Sequence, residues 1–435
     1  MAFGGGNWVT QNKILPGTYI NSVSAAAYSQ DTGDRGVVAV PICLSWGPAA
    51  EIYTVTADEF TKDAKTLFGC DAADASLIDL REVFKHATKA ILYRINGGTK
   101  ASNTYADAKY TGTAGNKISI KIAQSAETEG AFFVSTLYDG VVMDEQVVTA
   151  ANKLVANDWV TWKTFELAAT AGVPLTGGTN AATVTGSAHQ DALNAFESQT
   201  FDVLACTADD TETIALYVAY TKRLNDDLGI KFQCVCRKLE TGSDSEYIIE
   251  VQNTCNDDSR AHALVYWTAG ACAACALNTD LTGAIYDGEH SIDVNYTQAQ
   301  LENFIKAGKF AFHRTGDVVR VLKDINTLVT YTDSRQATYA RNKTVRVVNY
   351  LATRDAALFN EHYIGVYINN DVARSKLRND LVDIRTELAT IGAIAGYTGD
   401  EMTIAQGVDD VSVVMTDSVT IAATMEKLYI TETIG

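Results

Sequence analysis

Two cysteine pairs are spaced closely enough to chelate, Cys234-Val-Cys236 and Cys272-Ala-Ala-Cys275. Four thiolates from two such pairs could hold zinc, since CxxC brings two sulfurs onto one ion. The first pair, however, is CxC inside an apolar strand. The second sits in an alanine-rich helix without the Gly, Lys or aromatic residues of a zinc knuckle. Thiols packed as small apolar groups are the simpler expectation, so neither metal nor cofactor is expected. Six histidines (His86, His189, His262, His290, His313 and His362) are scattered, and Glu289-His290 and Glu361-His362 lack ligand spacing. No Gly-x-Ser-x-Gly elbow, phosphate-binding Gly-rich loop, His-Glu-x-x-His or Gly-x-Gly-x-x-Gly occurs. No nucleophile and base can be named, and the chain is expected not to be an enzyme; a hydrolase on an α/β core is the weaker alternative.

What must position these residues is a chain of 435 residues, about three domains at ~150 each, with 47% apolar content for their cores. A net charge of −18 argues against nucleic acid or an anionic membrane as partner. The start of the chain has no basic stretch followed by an apolar block, so a cytosolic product is expected. The longest uncharged run, 263–277, falls short of the ~20 residues of a membrane span and reads as a buried strand followed by a close-packed helix.

Residues 1–23 carry three consecutive glycines and Pro16-Gly17, and read as an arm with one strand-like stretch around Thr18, Tyr19 and Ile20. From residue 35 the pattern becomes α/β. GVVAVPICL is a continuous apolar strand suited to a parallel sheet. A capping box at Thr56 and Glu59 opens a helix that stops at Gly69, a second helix follows, and AILYRI returns as a strand. Between Gly97-Gly98-Thr99 and Gly177-Gly178-Thr179, segments such as KISIKIA alternate apolar with polar, the texture of antiparallel strands. The α/β rhythm then resumes. The simplest plan is an N-terminal arm (1–23), an α/β core (24–96 and 180–290), an inserted β domain (97–179), a C-terminal α/β domain (291–417) and a C-terminal arm (418–435). In that last arm Val419, Ile421, Ala423 and Met425 alternate with polar or small residues, and Tyr429 follows.

Extended strands left at both ends would recruit other chains, because unpaired backbone groups template pairing; strand donation between copies, building rings or filaments, follows. Charge is uneven: residues 301–390 hold 14 Lys+Arg against 10 Asp+Glu, while the rest is acidic. At 100° per residue Leu377, Leu381, Ile384 and Leu388 form one stripe of a helix from Asp371, with Arg374, Arg378 and Arg385 beside it. An ordinary solvated helix with i,i+4 pairs accounts for these arginines equally well.

Taken in order, these residues resemble the contractile tail sheath proteins of bacteriophages, prophages and R-type bacteriocins. The resemblance is carried by Pro16-Gly17-Thr18-Tyr19, by residues 35–41 (RGVVAVP) running to Trp46-Gly47-Pro48, and by the Thr-x-x-Glu-Phe helix ending in Phe68-Gly69. It continues through Tyr93-Arg94, the Leu175-Thr176-Gly177-Gly178-Thr179 turn, and Met425-Glu426-Lys427-Leu428-Tyr429. It implies a subtilisin-like α/β core without a catalytic triad, an inserted β-sandwich and a C-terminal α/β domain. It also implies stacked hexameric rings of the chain itself around an inner tail tube, contracting to drive that tube through a target cell envelope and meeting baseplate and tail terminator proteins, in a virion tail or phage-tail-like particle assembled in the bacterial cytoplasm; a lattice-forming virion protein that does not contract is the alternative. Thr18, Tyr19, Ile20, Val419, Ile421, Ala423, Met425 and Tyr429 would donate strands between subunits, and Arg374, Arg378 and Arg385 would face the tube.

Overall fold

The computed structural model describes residues 35–126, 128–239 and 243–434. Their central sheet has seven strands in the order Lys309–Phe310, Ile248–Val251, Gln233–Arg237, Val203–Ala205, Val37–Ile42, Lys89–Arg94, Ile52–Thr56. Neighbours run parallel except Ile52–Thr56, which is antiparallel to Lys89–Arg94. The apolar run VVAVPI lies inside this sheet because both of its faces are covered. Val38, Val40 and Ile42 point to the side of the helices Ala57–Phe68, Ile78–Phe84 and Ala263–Ala274; Ala39 points to the side of Gly186–Phe196 and Thr211–Lys222.

Helix Ala57–Phe68 starts where its sequence says it should. Glu59 N donates to Thr56 Oγ1 at 3.2 Å, the Glu59 carboxylate accepts from Thr56 N at 2.8 Å, and Gly69 closes the helix at φ 72°. Residues 263–277 depart from expectation. They hold no strand; Ala263–Ala274 is one helix, buried without a break from Ala263 to Ala273. A helix apolar on every side has no periodicity to distinguish it from a strand. Gly270 lets it approach Ile78–Phe84, since a Cβ there would lie 2.4 Å from Val83 O.

The inserted segment forms two four-stranded antiparallel sheets. One has the order Thr170–Pro174, Ile118–Gln124, Phe132–Tyr138, Val141–Val148, and the other Thr179–Asn180, Gly98–Ser102, Ala106–Thr111, Val160–Trp162. Ile118, Ile120, Ile122 and Val134 of one meet Ala101, Ala106, Ala108 and Val160 of the other in a shared core, a β-sandwich. Its two connections to the core run side by side. Thr99 pairs with Thr179 and Gly98 with Asn180, and Thr99 Oγ1 donates to Gly177 O at 2.6 Å.

Beyond residue 290 the sequence suggests a separate unit with strands at 310–314 and 317–322. Helix Gln298–Lys306 does begin on a capping box between Thr297 and Gln300. The following strand is split, however: Lys309–Phe310 pairs with Ile248–Val251 and completes the central sheet, while Phe312–Thr315 turns into a hairpin with Val318–Val321. A two-residue strand carries no alternation that could reveal its partner. The C-terminal part pairs helices Asn342–His362 and Asp371–Thr390 through Val347, Leu351 and Leu358 against Leu377, Leu381, Ile384 and Leu388, followed by the hairpin Thr403–Gln406 and Val413–Thr416. The fold is thus mixed α/β with several sheets. No helix among the described residues is long and apolar enough to cross a membrane.

Candidate functional site

The chain's own fold uses the first part of the C-terminal segment. Thr420 O accepts from Ala395 N at 2.7 Å and Ala422 N donates to Ala393 O at 3.1 Å, so Ile421 bridges antiparallel to Ile394. Val419 and Ile421 are half-buried against the helix pair. Glu426 is then held between Lys323 at 3.4 Å and Arg341 at 3.3 Å. Past this ionic anchor Leu428, Tyr429, Ile430 and Ile434 are 69–91% exposed. Of the residues expected to donate strands, Val419 and Ile421 are therefore engaged at home, while Ala423, Met425 and Tyr429 are exposed. Thr18, Tyr19 and Ile20 lie outside the described residues.

The arginine stripe needs correction at one position. Arg385 is 2% exposed, with Nε donating to Asp417 at 2.9 Å and Nη2 to Asp355 at 2.6 Å, so it is a buried clamp and not a tube-facing group. Helical-wheel position gave its angle, but the carboxylates that turn it inward come from another helix and from Asp417. Arg374 donates to Asn369 at 2.6 Å and pairs with Asp371, and Arg378 donates to Met402 O at 3.0 Å and to Gly399 O. Both are only partly exposed, bracing the adjoining loops.

Core and sandwich meet through aromatic and guanidinium contacts. Trp46 donates to Thr66 O at 3.1 Å and stacks on Trp159 with centroids 5.7 Å apart; Tyr138 OH donates to Gly69 O. Arg94, 1% exposed, spans the junction by donating to Gly47 O at 3.0 Å and Thr111 O at 2.7 Å, and burial holds its pKa below the usual guanidinium range.

The chelating cysteines do not converge. Cys234 and Cys236 lie on one face of the central sheet, and Cys272 packs in the core on the other. Burial pushes the Cys234 thiol up to about 12. His86 contacts Asp287 at 3.0 Å, His189 contacts Tyr217 OH at 2.7 Å, and His262 contacts Asp209 at 2.9 Å. The structure instead brings together Cys255, Asp257 and His290, whose ligand atoms lie within 4.8 Å of one another. Sequence reasoning missed this group because His290 lies 33 residues beyond Asp257, and Cys255-Asn256-Asp257 on its own offers only two donors with nothing along the chain to bring His290 beside them.

Models of known families cover nearly all of the chain. The domain III N-terminal region of the tail sheath protein Gp18 matches residues 35–95, the phage tail sheath β-sandwich domain 96–180, the central domain 182–327 and the C-terminal domain 334–435. Phage-like element PBSX protein XkdK from Bacillus subtilis (strain 168) is 32% identical over 439 residues, covering 91% of this chain and 92% of that protein. The chain belongs to the phage tail sheath protein family. Among solved structures, this sheath protein is similar to the sheath tail protein of Desulfitobacterium hafniense, with 32% identity, TM-score 0.77, and coverage of 93% of this chain and 100% of that one. It is also similar to the sheath tail protein Lin1278 of Listeria innocua, with 27% identity, TM-score 0.82, and coverage of 92% and 94%. The helical sheath of the anti-feeding prophage in its contracted state shares the fold at 12% identity, TM-score 0.53, and coverage of 97% and 99%. The match to the central domain runs to residue 327, as the sheet itself runs on through Lys309–Phe310.

Proposed function

We propose that this sheath protein polymerises as stacked hexameric rings around an inner tail tube and contracts to drive that tube through a target cell envelope. The observation that carries the reading is the tail past Glu426: four large apolar side chains stand exposed on a segment with no regular secondary structure among its described residues. Such a segment gains by adding to a sheet edge of a neighbour, where its backbone finds a ladder and its side chains find cover. The fold shared with a contracted anti-feeding prophage sheath is in keeping with a contractile assembly in a phage-tail-like particle; in this reading its partners are the tube, baseplate and terminator proteins. The parallel sheet covered by helices on both faces is in keeping with a subtilisin-like core. In physical terms the assembly is a lattice with two packings; rigid domains rearrange, the arms act as hinges, and contraction runs toward the packing that buries more surface. Deleting residues 427–435 leaves the Glu426 anchor and the Ile421 bridge in place. The truncated chain is expected to fold as a soluble monomer that forms no striated tubes under negative stain. Tubes of ordinary appearance from that truncation would remove strand donation from the reading.

A further inference from the structure

We propose that Cys255, Asp257 and His290 form a site for one first-row divalent cation of the zinc type, fixed at the carboxyl end of the central sheet. Strand Ile248–Val251 ends four residues before Cys255, and crevices beyond strand carboxyl ends are where α/β sheets commonly place ligands. The His290 side chain is 2% exposed, and neither ring nitrogen has a hydrogen-bond partner among the described residues. A buried imidazole left so is costly unless something else satisfies it. Its Nδ1 faces Asp257 Oδ1 at 3.6 Å, too long for a hydrogen bond. That distance matches two ligands on one tetrahedral ion, where metal bonds of about 2.0–2.3 Å set donor atoms roughly 3.4–3.8 Å apart. Thiolate, imidazole and carboxylate together are a zinc-type donor set that leaves a fourth position open.

The donors are also held in place. The two loops are zipped by Asn256 N donating to Ser291 O at 2.7 Å, by Asp293 N donating to Thr254 O at 2.8 Å, and by the bridge between Cys255 and Ile292. Ser291 N donates to Asp257 Oδ2 at 3.0 Å, which turns the other carboxylate oxygen toward His290. Neighbouring acids are already committed: Asp258 accepts from Arg260, and Glu82 accepts from Tyr286 OH at 2.7 Å and from Glu289 N. The site therefore has three donors, with Asp257 half-exposed as the way in. A bound ion would staple the 252–258 loop to the 286–292 loop.

The test is cobalt titration of the purified, chelator-treated full chain. One cobalt per chain, with a near-ultraviolet thiolate-to-cobalt charge-transfer band displaced by zinc, is expected. Cys255→Ser should abolish the band, and Asp257→Asn, on the surface and able to fold, should weaken cobalt binding about tenfold or more, a loss that even outer-shell changes produce. Zinc should raise the melting temperature of the unsubstituted chain and not that of Asp257→Asn. The proposal is overturned by a folded chain that develops no band at saturating cobalt. A band retained in Cys255→Ser, or undiminished affinity in Asp257→Asn, would overturn it equally.

Discussion

Arg385 grips Asp355 across the C-terminal helix pair: both terminal guanidinium nitrogens meet the same carboxylate, with Nη2 2.6 Å from Oδ2. The remaining Nε holds Asp417, to which Tyr397 OH also donates at 2.6 Å. One buried cation therefore ties two helices to the segment that leads into the C-terminal tail.

Arg385→Ala is expected to destabilise the protein by about 3–5 kcal/mol, because it strips the Asp355 and Asp417 carboxylates, 20% and 8% exposed, of the cation they share. The urea midpoint of the C-terminal part reports this. Lys62→Ala removes only an i,i+4 pair with Asp58 in which both side chains are exposed, and should cost within about 1 kcal/mol. Equal effects from the two would contradict the clamp.

The paired connections to the sandwich make neighbouring glycines unequal. A Cβ on Gly98 would lie 1.8 Å from Thr179 O, at φ 152°, whereas a Cβ on Gly97 would meet nothing within 4 Å. Gly98→Ala should cost roughly 2 kcal/mol or more, and Gly97→Ala within about 0.5 kcal/mol. Paired thermal melts decide it.

His189, on helix Gly186–Phe196, packs against helix Thr211–Lys222 with Nδ1 against Tyr217 OH, and burial lowers its pKa to about 4. The unfolded chain takes up a proton near pH 6.5 that the folded chain refuses until pH 4. Stability is therefore full above the unfolded value and falls as pH drops through that window, by roughly 3 kcal/mol at most. His189→Gln should flatten this part of the pH profile. An unchanged slope between pH 6.5 and 4 would show that another group sets it.

Where a residue's neighbours along the chain settle its role, the sequence could be read directly. The capping boxes at Thr56 and Thr297, the IxIxI strand of the sandwich and the leucine stripe of Asp371–Thr390 are of this kind. Reading failed where a distant partner decides. The helix Ala263–Ala274 has no polar face because the sheet and helix Ile78–Phe84 bury it, and Arg385 turns inward to meet Asp355 and Asp417. Val419 and Ile421 look like a free strand until the 393–395 segment is found beside them. The grouping of Cys255 with His290 exists only once the 252–258 and 286–292 loops are zipped.

The side-by-side connections at Thr99 and Thr179 bear on mechanics. A module hung on one covalent thread can swivel freely, whereas this one leaves and returns through adjacent paired strands braced by Arg94. Twisting it against the core would have to shear that short ladder and pull a buried guanidinium from its carbonyls. Torque applied to the core is thereby handed to the sandwich, which turns as an outrigger and does not trail as a pendant.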